Sequence, residues 1–489
     1  MIFNSPTFIF AFLPVVFVGW LILMRHRLAV AAKTWLAVAS MVFYAWWNPF
    51  YLPLLLGSIW FNHRLGTALM PLAGQRAGRR LLAFGVGINL LALCWFKYAN
   101  FVVANLDAFT PAAIPSLDVP LPLGISFFTF TQIAWLVDSW QGKVRNRSAL
   151  DFTLFVTFFP HLIAGPILHH QEMMSQFASR WTQALRASNV ARGLFLFSLG
   201  LFKKVVLADT FASWADGGFD ASGPLDFFGA WGAGLSYALQ LYFDFSGYCD
   251  MAIGAALVFN IRLPINFNSP YKALDIQDFW RRWHITLSRY LRDYVYVPLG
   301  GNRRGRARVS VNLMATFLLG GLWHGASWMF VTWGALHGAA IVVHRAWKAR
   351  MTPLPKPLAW TVTFAFVVVA WVFFRARSWD AAVRILRAMC DVPSITAWPS
   401  SLLPTSDFAW AGPLFDPLLG VLPAQLVAHL ACLVAVAVGM GVLSQRNTMQ
   451  LADGHALSGR GLMAAFLAFS IAALVMVSSR QSAFLYFNF

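Results

Sequence analysis

Along much of the chain, apolar residues do not alternate with polar ones. They run on for the thickness of a bilayer, as from Phe8 to Met24, Leu194 to Leu207, Val309 to His344 and Gly461 to Ser478. Runs of roughly 20 residues match the hydrocarbon core of a membrane. Backbone groups in lipid must be satisfied within their own segment, which selects helices. The pattern predicts an all-α, polytopic integral membrane protein of about 10–13 helices. Composition agrees: of 489 residues 59% are hydrophobic and 11% charged, with mean hydropathy +0.62, whereas a soluble domain carries about 25% charged residues.

Charge changes the picture from span to topology. The formal +18 sits in short clusters between apolar runs, not along one soluble face, so no nucleic-acid partner is expected. Three stretches lack Lys and Arg altogether: Phe101 to Gly142, Val205 to Ile261 and Ala388 to Gln445. Their polar, proline-containing parts are expected outside. The clusters Arg76 to Arg80, Lys143 to Arg147, Lys272 to Arg308, Arg345 to Lys356 and Arg446 to Arg460 are expected in the cytoplasm. The first run, ending at Arg25, His26 and Arg27, reads as an uncleaved helix with its N-terminus outside. No internal repeat or second soluble domain is evident, so residues 1–489 read as one transmembrane domain, with a cytoplasmic amphipathic segment at 272–308 and an extracytoplasmic tail at 480–489. Cys94, Cys249, Cys390 and Cys432 show no paired spacing and read as small buried apolar residues, with neither a disulfide framework nor a metal site.

Within Lys272–Arg308 the basic residues outnumber Asp275, Asp278 and Asp293, too many charges for a span. Wound at about 100° per residue, Trp280, Trp283, His284, Leu287, Tyr290, Leu291 and Tyr294 share one stripe of about 120°. Arg281, Arg282, Ser288, Arg289, Arg292 and Asp293 fill the other side. This predicts an amphipathic helix lying in the interface, aromatic face toward lipid and arginine face toward the cytoplasm. Guanidinium binds phosphate bidentately, so Arg281, Arg282, Arg289 and Arg292 are candidate contacts for the phosphates of coenzyme A or for an acidic carrier protein. Solvated anchoring explains the same residues. Asp275 or Asp278 would cap the helix, and Asn268, Ser269 and Pro270 would form the turn before it.

An imidazole inside an apolar run is costly and by default functional. His324 in GGLWHGASW is such a residue. Gly320, Gly321 and Gly325 permit close packing or a broken helix, and Trp323, Trp328 and Trp333 would surround the ring. An imidazole there can accept the proton of a nucleophilic hydroxyl; a histidine bonding between helices is the alternative. His337 and His344 read as structural, and His284 as either an interfacial anchor or a second site residue. Asp244 and Asp250 lie six apart, on different helix faces, and read as ties between helices. No Walker A loop, dinucleotide fingerprint or HExxH motif is present.

The segments MIFNSPTFIFAFLP, FYAWWNP, LPLGISFFTFTQIAWLVD, FFPHLIAGPI, LGLFKKVVLAD, the long run YFDFSGYCDMAIGAALVFNIRLPINFNSPYKALDIQDFWRRWHITLSRYLRDYVYVPLGGNR, GGLWHGASW and FLYFNF together resemble the membrane-bound O-acyltransferase (MBOAT) family, most closely its alginate-type (AlgI-like) bacterial O-acetyltransferase membrane subunits. The resemblance implies a bowl of helices, some interfacial and re-entrant, around a central channel. A thioester donor, acetyl-coenzyme A, would enter from the cytoplasm and the acceptor, an exported polysaccharide such as alginate or cellulose, from outside. It implies that His324 is the catalytic histidine, His284 the second, and Tyr486 in FLYFNF an acyl relay. The tail reads Tyr-Phe-Asn-Phe where Tyr-Phe-Gln-Phe is the family pattern.

The resemblance further implies a multi-pass protein of the inner membrane, no bound cofactor, and a separate periplasmic SGNH-type acetyltransferase subunit as partner, since no GDS-type serine motif lies in this chain. An exopolysaccharide synthase complex and membrane lipids are the other expected partners. The same fold also serves teichoic-acid D-alanylation and peptidoglycan acylation. A polysaccharide transporter or flippase, or a scaffold for a synthase, would share the composition but not the WHG setting of His324.

Overall fold

The computed structural model of the chain describes residues 1–109, 114–117, 119–179, 184–221, 223–392, 424–455, 458–478 and 484–485. Among these, every regular element is helical. The first part comprises α1 (Leu13–Arg25), α2 (Ala29–Ala45), α3 (Leu52–Leu69), α4 (Arg76–Leu93), α5 (Ala99–Asp107), α6 (Ile125–Trp140), α7 (Ala149–Thr157), α8 (Phe159–Leu162) and α9 (His170–Ala178). The second comprises α10 (Ala187–Phe202), α11 (Asp209–Phe219), α12 (Phe227–Val258), α13 (Ile276–Arg282), α14 (Ile285–Leu291), α15 (Gly305–His324), α16 (Trp328–Lys348), α17 (Lys356–Arg375) and α18 (Trp379–Met389). Helices Ala424–Ser444, Thr448–His455 and Gly459–Ser478 follow.

Among the described residues, Thr7–Arg25, Arg76–Asp107, Lys356–Arg375 and Gly459–Ser478 are long and apolar enough to cross a membrane, with Leu430–Ser444 plus Thr448–Gly454 as a further pair bent by 46°. Hydropathy singles out these outer helices and passes over the inner ones for a physical reason. Helices α10, α12, α15 and α16 turn Asp, Asn, Ser, His and Gly toward other helices, where protein rather than lipid receives them.

The 32-residue α12 is the axis of the fold, buried along most of its length, and Asp226 caps its start by accepting from the Gly229 N–H at 2.7 Å. Helix α10 lies against it with glycine facing glycine. A Cβ on Gly193 would sit 2.7 Å from the Gly254 carbonyl, and one on Gly200 2.6 Å from the Gly247 carbonyl. That is the close backbone approach by which helices associate where no hydrophobic force drives them.

Asp244 and Asp250 do tie helices together, as their sequence setting suggests. Lys203 meets Asp250 at 2.7 Å, and Lys204 meets both Asp209 at 2.7 Å and Asp244 at 2.9 Å. Both lysines lie on a π-helical turn, Lys203–Ala208, joining α10 to α11. Further π turns precede α1 at Thr7–Phe12 and continue α4 and α14 at Cys94–Tyr98 and Arg292–Tyr296. Cys249 and Cys432 are buried, but Cys94 and Cys390 are exposed, contrary to the expectation of four interior thiols.

Candidate active site

The apolar run from Val309 to His344 folds as two helices, not one. Helix α15 ends at His324, Gly325 is extended at φ −166° and ψ 151°, and α16 returns alongside. The two can touch because Gly321 and Gly334 have no side chain: a Cβ on the first would lie 2.2 Å from the Phe330 carbonyl, and on the second 2.4 Å from that of Phe317. Basic residues mark the far ends of both helices, from Arg303 to Arg308 and from Arg345 to Arg350. From Val309 to His324 the rise is about 24 Å at 1.5 Å per residue, short of a bilayer core of about 30 Å. A helix entering the bilayer upright from its basic end would therefore bring His324 to membrane depth.

His324 is 2% exposed, and its ring lies 4.9 Å from Trp323, 5.1 Å from Trp333 and 5.1 Å from Phe374, centre to centre. Trp328, expected in the same shell, is 55% exposed and donates from Nε1 to Asn105 at 2.8 Å. It opens α16, beyond the break, and so points away from His324. Phe374, from α17, takes its place. Trp371 stacks behind Trp333 at 5.6 Å, so the rings packed around His324 come from α15, α16 and α17.

The amphipathic stripe is correct in composition and different in construction. A single helix through Trp280 to Tyr294 is replaced by α13 and α14, separated at Trp283–His284. His284 adopts the left-handed conformation at φ 43° and ψ 52°, sparsely populated for a residue with a Cβ. An extended strap holds it there: the Asn268 N–H donates to the Arg282 carbonyl at 2.9 Å and the Ile285 N–H to the Asn266 carbonyl at 3.0 Å. The aromatic face meets protein, not lipid. Trp283, His284, Leu287 and Tyr290 are buried, with Phe245 edge-on to His284 at 4.9 Å and Trp371 5.0 Å from Trp283. Asp275 caps α13 by accepting from the Asp278 N–H at 2.7 Å.

This break brings the two histidines together: the rings of His284 and His324 are 6.3 Å apart. Asn266 orients His284. Its Oδ1 accepts from the Thr286 N–H at 3.2 Å and the Thr286 hydroxyl at 2.9 Å, and lies 3.1 Å from His284 Nδ1. A backbone N–H can only donate, so that atom is the amide oxygen, and Nδ1 must carry the hydrogen it donates. In the neutral ring Nε2 is then the acceptor. His337 has the opposite arrangement, its Nδ1 accepting from Trp280 Nε1 at 3.2 Å. That bond joins α13 to α16, the structural part its sequence setting suggested. His344 approaches Asp275 at 3.6 Å.

The four arginines surround this core at the surface. Arg281 is exposed. Arg282 pairs with Asp278 at 2.9 Å and Arg292 with its neighbour Asp293 at 2.7 Å. Arg289 grips Glu172 of α9 with both arms, the second at 2.8 Å. Tyr486 lies outside the described residues. Just before it, Phe484 stacks on Tyr248 at 4.4 Å and the Leu485 N–H donates to Asp244 at 3.0 Å.

Two groups escaped the sequence reading. Asn266, in INFNSP, carries no pattern that marks it. Lys97, in LCWFKYANF, is a cation inside an apolar run, the same signal that singles out His324.

Comparison with known proteins places the chain in a family. The model of MBOAT, the membrane-bound O-acyltransferase family, matches residues 88–378, a span holding His284, His324, Asn266 and Lys97. A peptidoglycan O-acetyltransferase of Helicobacter pylori is 45% identical over 100% of this chain and 98% of its own length. The chain belongs to the membrane-bound O-acyltransferase family. Two other MBOAT relatives are more distant: the "Probable alginate O-acetylase AlgI" of Pseudomonas aeruginosa is 42% identical over 80% of the chain and 75% of its own length. A teichoic acid D-alanyltransferase of Streptococcus thermophilus is 28% identical over 52% and 68% respectively. An MBOAT protein is a multi-pass membrane acyltransferase, and the apolar helices agree with that.

Proposed function

We propose that this MBOAT protein takes an acetyl group from a cytoplasmic thioester, acetyl-coenzyme A, and passes it across the inner membrane toward hydroxyls of an extracytoplasmic polysaccharide. The observation that carries this reading is the pair His284 and His324, 6.3 Å apart and enclosed by aromatic side chains. His324 accepts the proton of the attacking hydroxyl as its oxygen adds to the thioester carbonyl, and the intermediate then collapses to an ester, expelling the thiolate, which takes that proton. A chamber walled by Trp and Phe excludes the water that would hydrolyse the donor. Donor phosphates fall to the arginine face, Arg281 and Arg292 directly and Arg282 and Arg289 by exchanging a carboxylate for phosphate. The hydroxyl of Tyr486 serves as the relay that carries acetyl outward, and a separate periplasmic SGNH-type subunit completes delivery.

Names of relatives point to two acceptors, peptidoglycan and alginate, and chemistry at the histidines does not separate them. Ester-linked acetate released by mild base, measured on purified peptidoglycan and on exported polysaccharide from cells with and without the gene, does. Loss from one fraction identifies the acceptor. Unchanged acetate in both would refute the reading.

Asn266→Ala tests the orientation of His284. Losing a bond that holds a buried ring costs about 1–3 kcal/mol, so transfer is expected to fall about 5- to 150-fold. Undiminished transfer at matched protein level would show that the Asn266 bond to His284 does not matter for turnover.

A further inference from the structure

We propose that Lys97, together with Tyr98, is a positioning residue of the acyl-transfer site, fixing the end of α15 so that the His324 ring is held among Trp323, Trp333 and Phe374. The inference rests on His324 acting as the base and goes beyond it to the device that places it.

The last carbonyls of a helix have no partner within it. In the interior of a membrane protein that deficit must be met by another part of the chain. At α15 a single turn of a neighbouring helix meets it. Tyr98 donates its hydroxyl to the Leu322 carbonyl at 2.8 Å. The ammonium of Lys97 donates to the Trp323 carbonyl, to the His324 carbonyl at 3.3 Å and to the Ser126 hydroxyl at 3.2 Å. Three successive carbonyls ending at His324 are thus held by two adjacent side chains 224 to 227 residues away in sequence.

The count of donors decides what Lys97 can do. An ammonium has three N–H groups, and three acceptors surround this one, so none remains for a substrate oxygen. Lys97 therefore acts through the backbone of His324 and not on the reacting atoms. Its charge suits the place, since a cation stabilises the negative end of a helix. Its Nζ also lies 5.8 Å from the centre of the Trp323 ring, within reach of a cation–π attraction. The turn that presents the pair, Cys94–Tyr98, is π-helical, a form that recurs at functional sites. With Gly325 extended immediately after His324, the imidazole hangs from the last residue of the helix. Any tilt of that residue swings the ring.

The test uses the full-length protein in inside-out membrane vesicles, with acetyl-coenzyme A as probe and released coenzyme A as signal. Misplacement of a reacting group by about 1 Å costs on the order of 100-fold. Lys97→Gln is therefore expected to lower kcat about 10- to 100-fold, with KM for acetyl-coenzyme A within about twofold of wild type. Lys97→Arg, whose fork can still reach two adjacent carbonyls, is expected to recover most of that kcat. Wild-type kcat in Lys97→Gln overturns the inference, as does a loss confined to KM. Should Lys97→Gln fail to reach the membrane, Tyr98→Phe decides: it frees only the Leu322 carbonyl, and kcat is expected to fall about 3- to 10-fold, wild-type kcat again overturning the inference. His324→Ala runs alongside. If it keeps wild-type kcat the catalytic reading fails; if it is inactive while Lys97→Gln keeps wild-type kcat, only the positioning inference fails.

Discussion

His324→Ala is expected to reduce acetyl transfer about 1,000-fold or more, at unchanged abundance of the protein in the membrane. General-base assistance contributes about 100- to 10,000-fold on its own. Here the base is also the group that orders the attacking hydroxyl, and positioning adds to the loss. His324→Gln separates these parts, since it retains size and hydrogen bonding but cannot take up a proton. It is expected to recover only the positioning part and to stay about 100- to 10,000-fold below wild type for want of the base, whereas a purely structural histidine would be rescued. The readouts are coenzyme A release by vesicles and ester-linked acetate on the cell's polysaccharides. Tyr486→Phe belongs in the same series. A phenolic relay predicts lost polysaccharide acetate in that variant, and full acetate would refute the relay without touching His324. Full activity in His324→Ala would return the transporter and scaffold readings to the front.

What made His324 legible was the cost of its surroundings. A polar side chain within an apolar run stands out against every neighbour, and the flanking glycines announce the close helix pairing that α15 and α16 show. The break itself was legible too, as one of two options for those glycines. Trp328 was misplaced because sequence proximity says nothing about which side of a break a residue falls on. Phe374 could not be found at all, being distant in sequence and one phenylalanine among 45.

The arginine segment teaches the opposite lesson. Its stripe of Trp, His, Leu and Tyr correctly places Trp283, His284, Leu287 and Tyr290 in the interior, with Trp280, Leu291 and Tyr294 half-buried, while Phe279 and Thr286 are buried from outside it. Continuity of the helix does not follow from spacing. A left-handed residue at His284 is stabilised by the strap at Asn266–Asn268, a tertiary pairing that no local pattern encodes. Lipid was inferred as the apolar partner because the segment was read alone, and the folded chain instead supplies Phe245, Phe267 and Trp371. Lys97 shows that the signal can be present and still be passed over. A lysine among Cys, Trp, Phe and Tyr is as anomalous as a histidine among tryptophans, and its role emerged only when the carbonyls it satisfies were located.

Asp244→Ala is expected to be the most destabilising single change in the interior, by about 3 kcal/mol. The side chains of Lys204 and Asp244 are 3% and 1% exposed and 2.9 Å apart. Removing one partner of a buried pair leaves an uncompensated charge, which costs about 3–5 kcal/mol; the lower figure applies because Asp209 still faces Lys204 at 2.7 Å. The same carboxylate accepts the Leu485 N–H at 3.0 Å, so alanine also loosens the tail on α12. A lower melting temperature in detergent would register the first effect. The double variant Lys204→Met/Asp244→Leu discriminates charge from shape: with both ions gone the desolvation penalty goes too, and Asp209, at the start of α11, keeps a favourable place at a helix N-terminus. The double variant should therefore melt above the single one. Asp244→Asn keeps an acceptor for Leu485 while losing the charge, so it should destabilise yet hold the tail. If acetyl transfer falls further in alanine than in asparagine at equal protein level, docking of the tail contributes to turnover. A wild-type melting temperature in Asp244→Ala would show that the Lys204 pair contributes no net stability, and a double variant weaker than the single would show that packing, not charge, governs this layer.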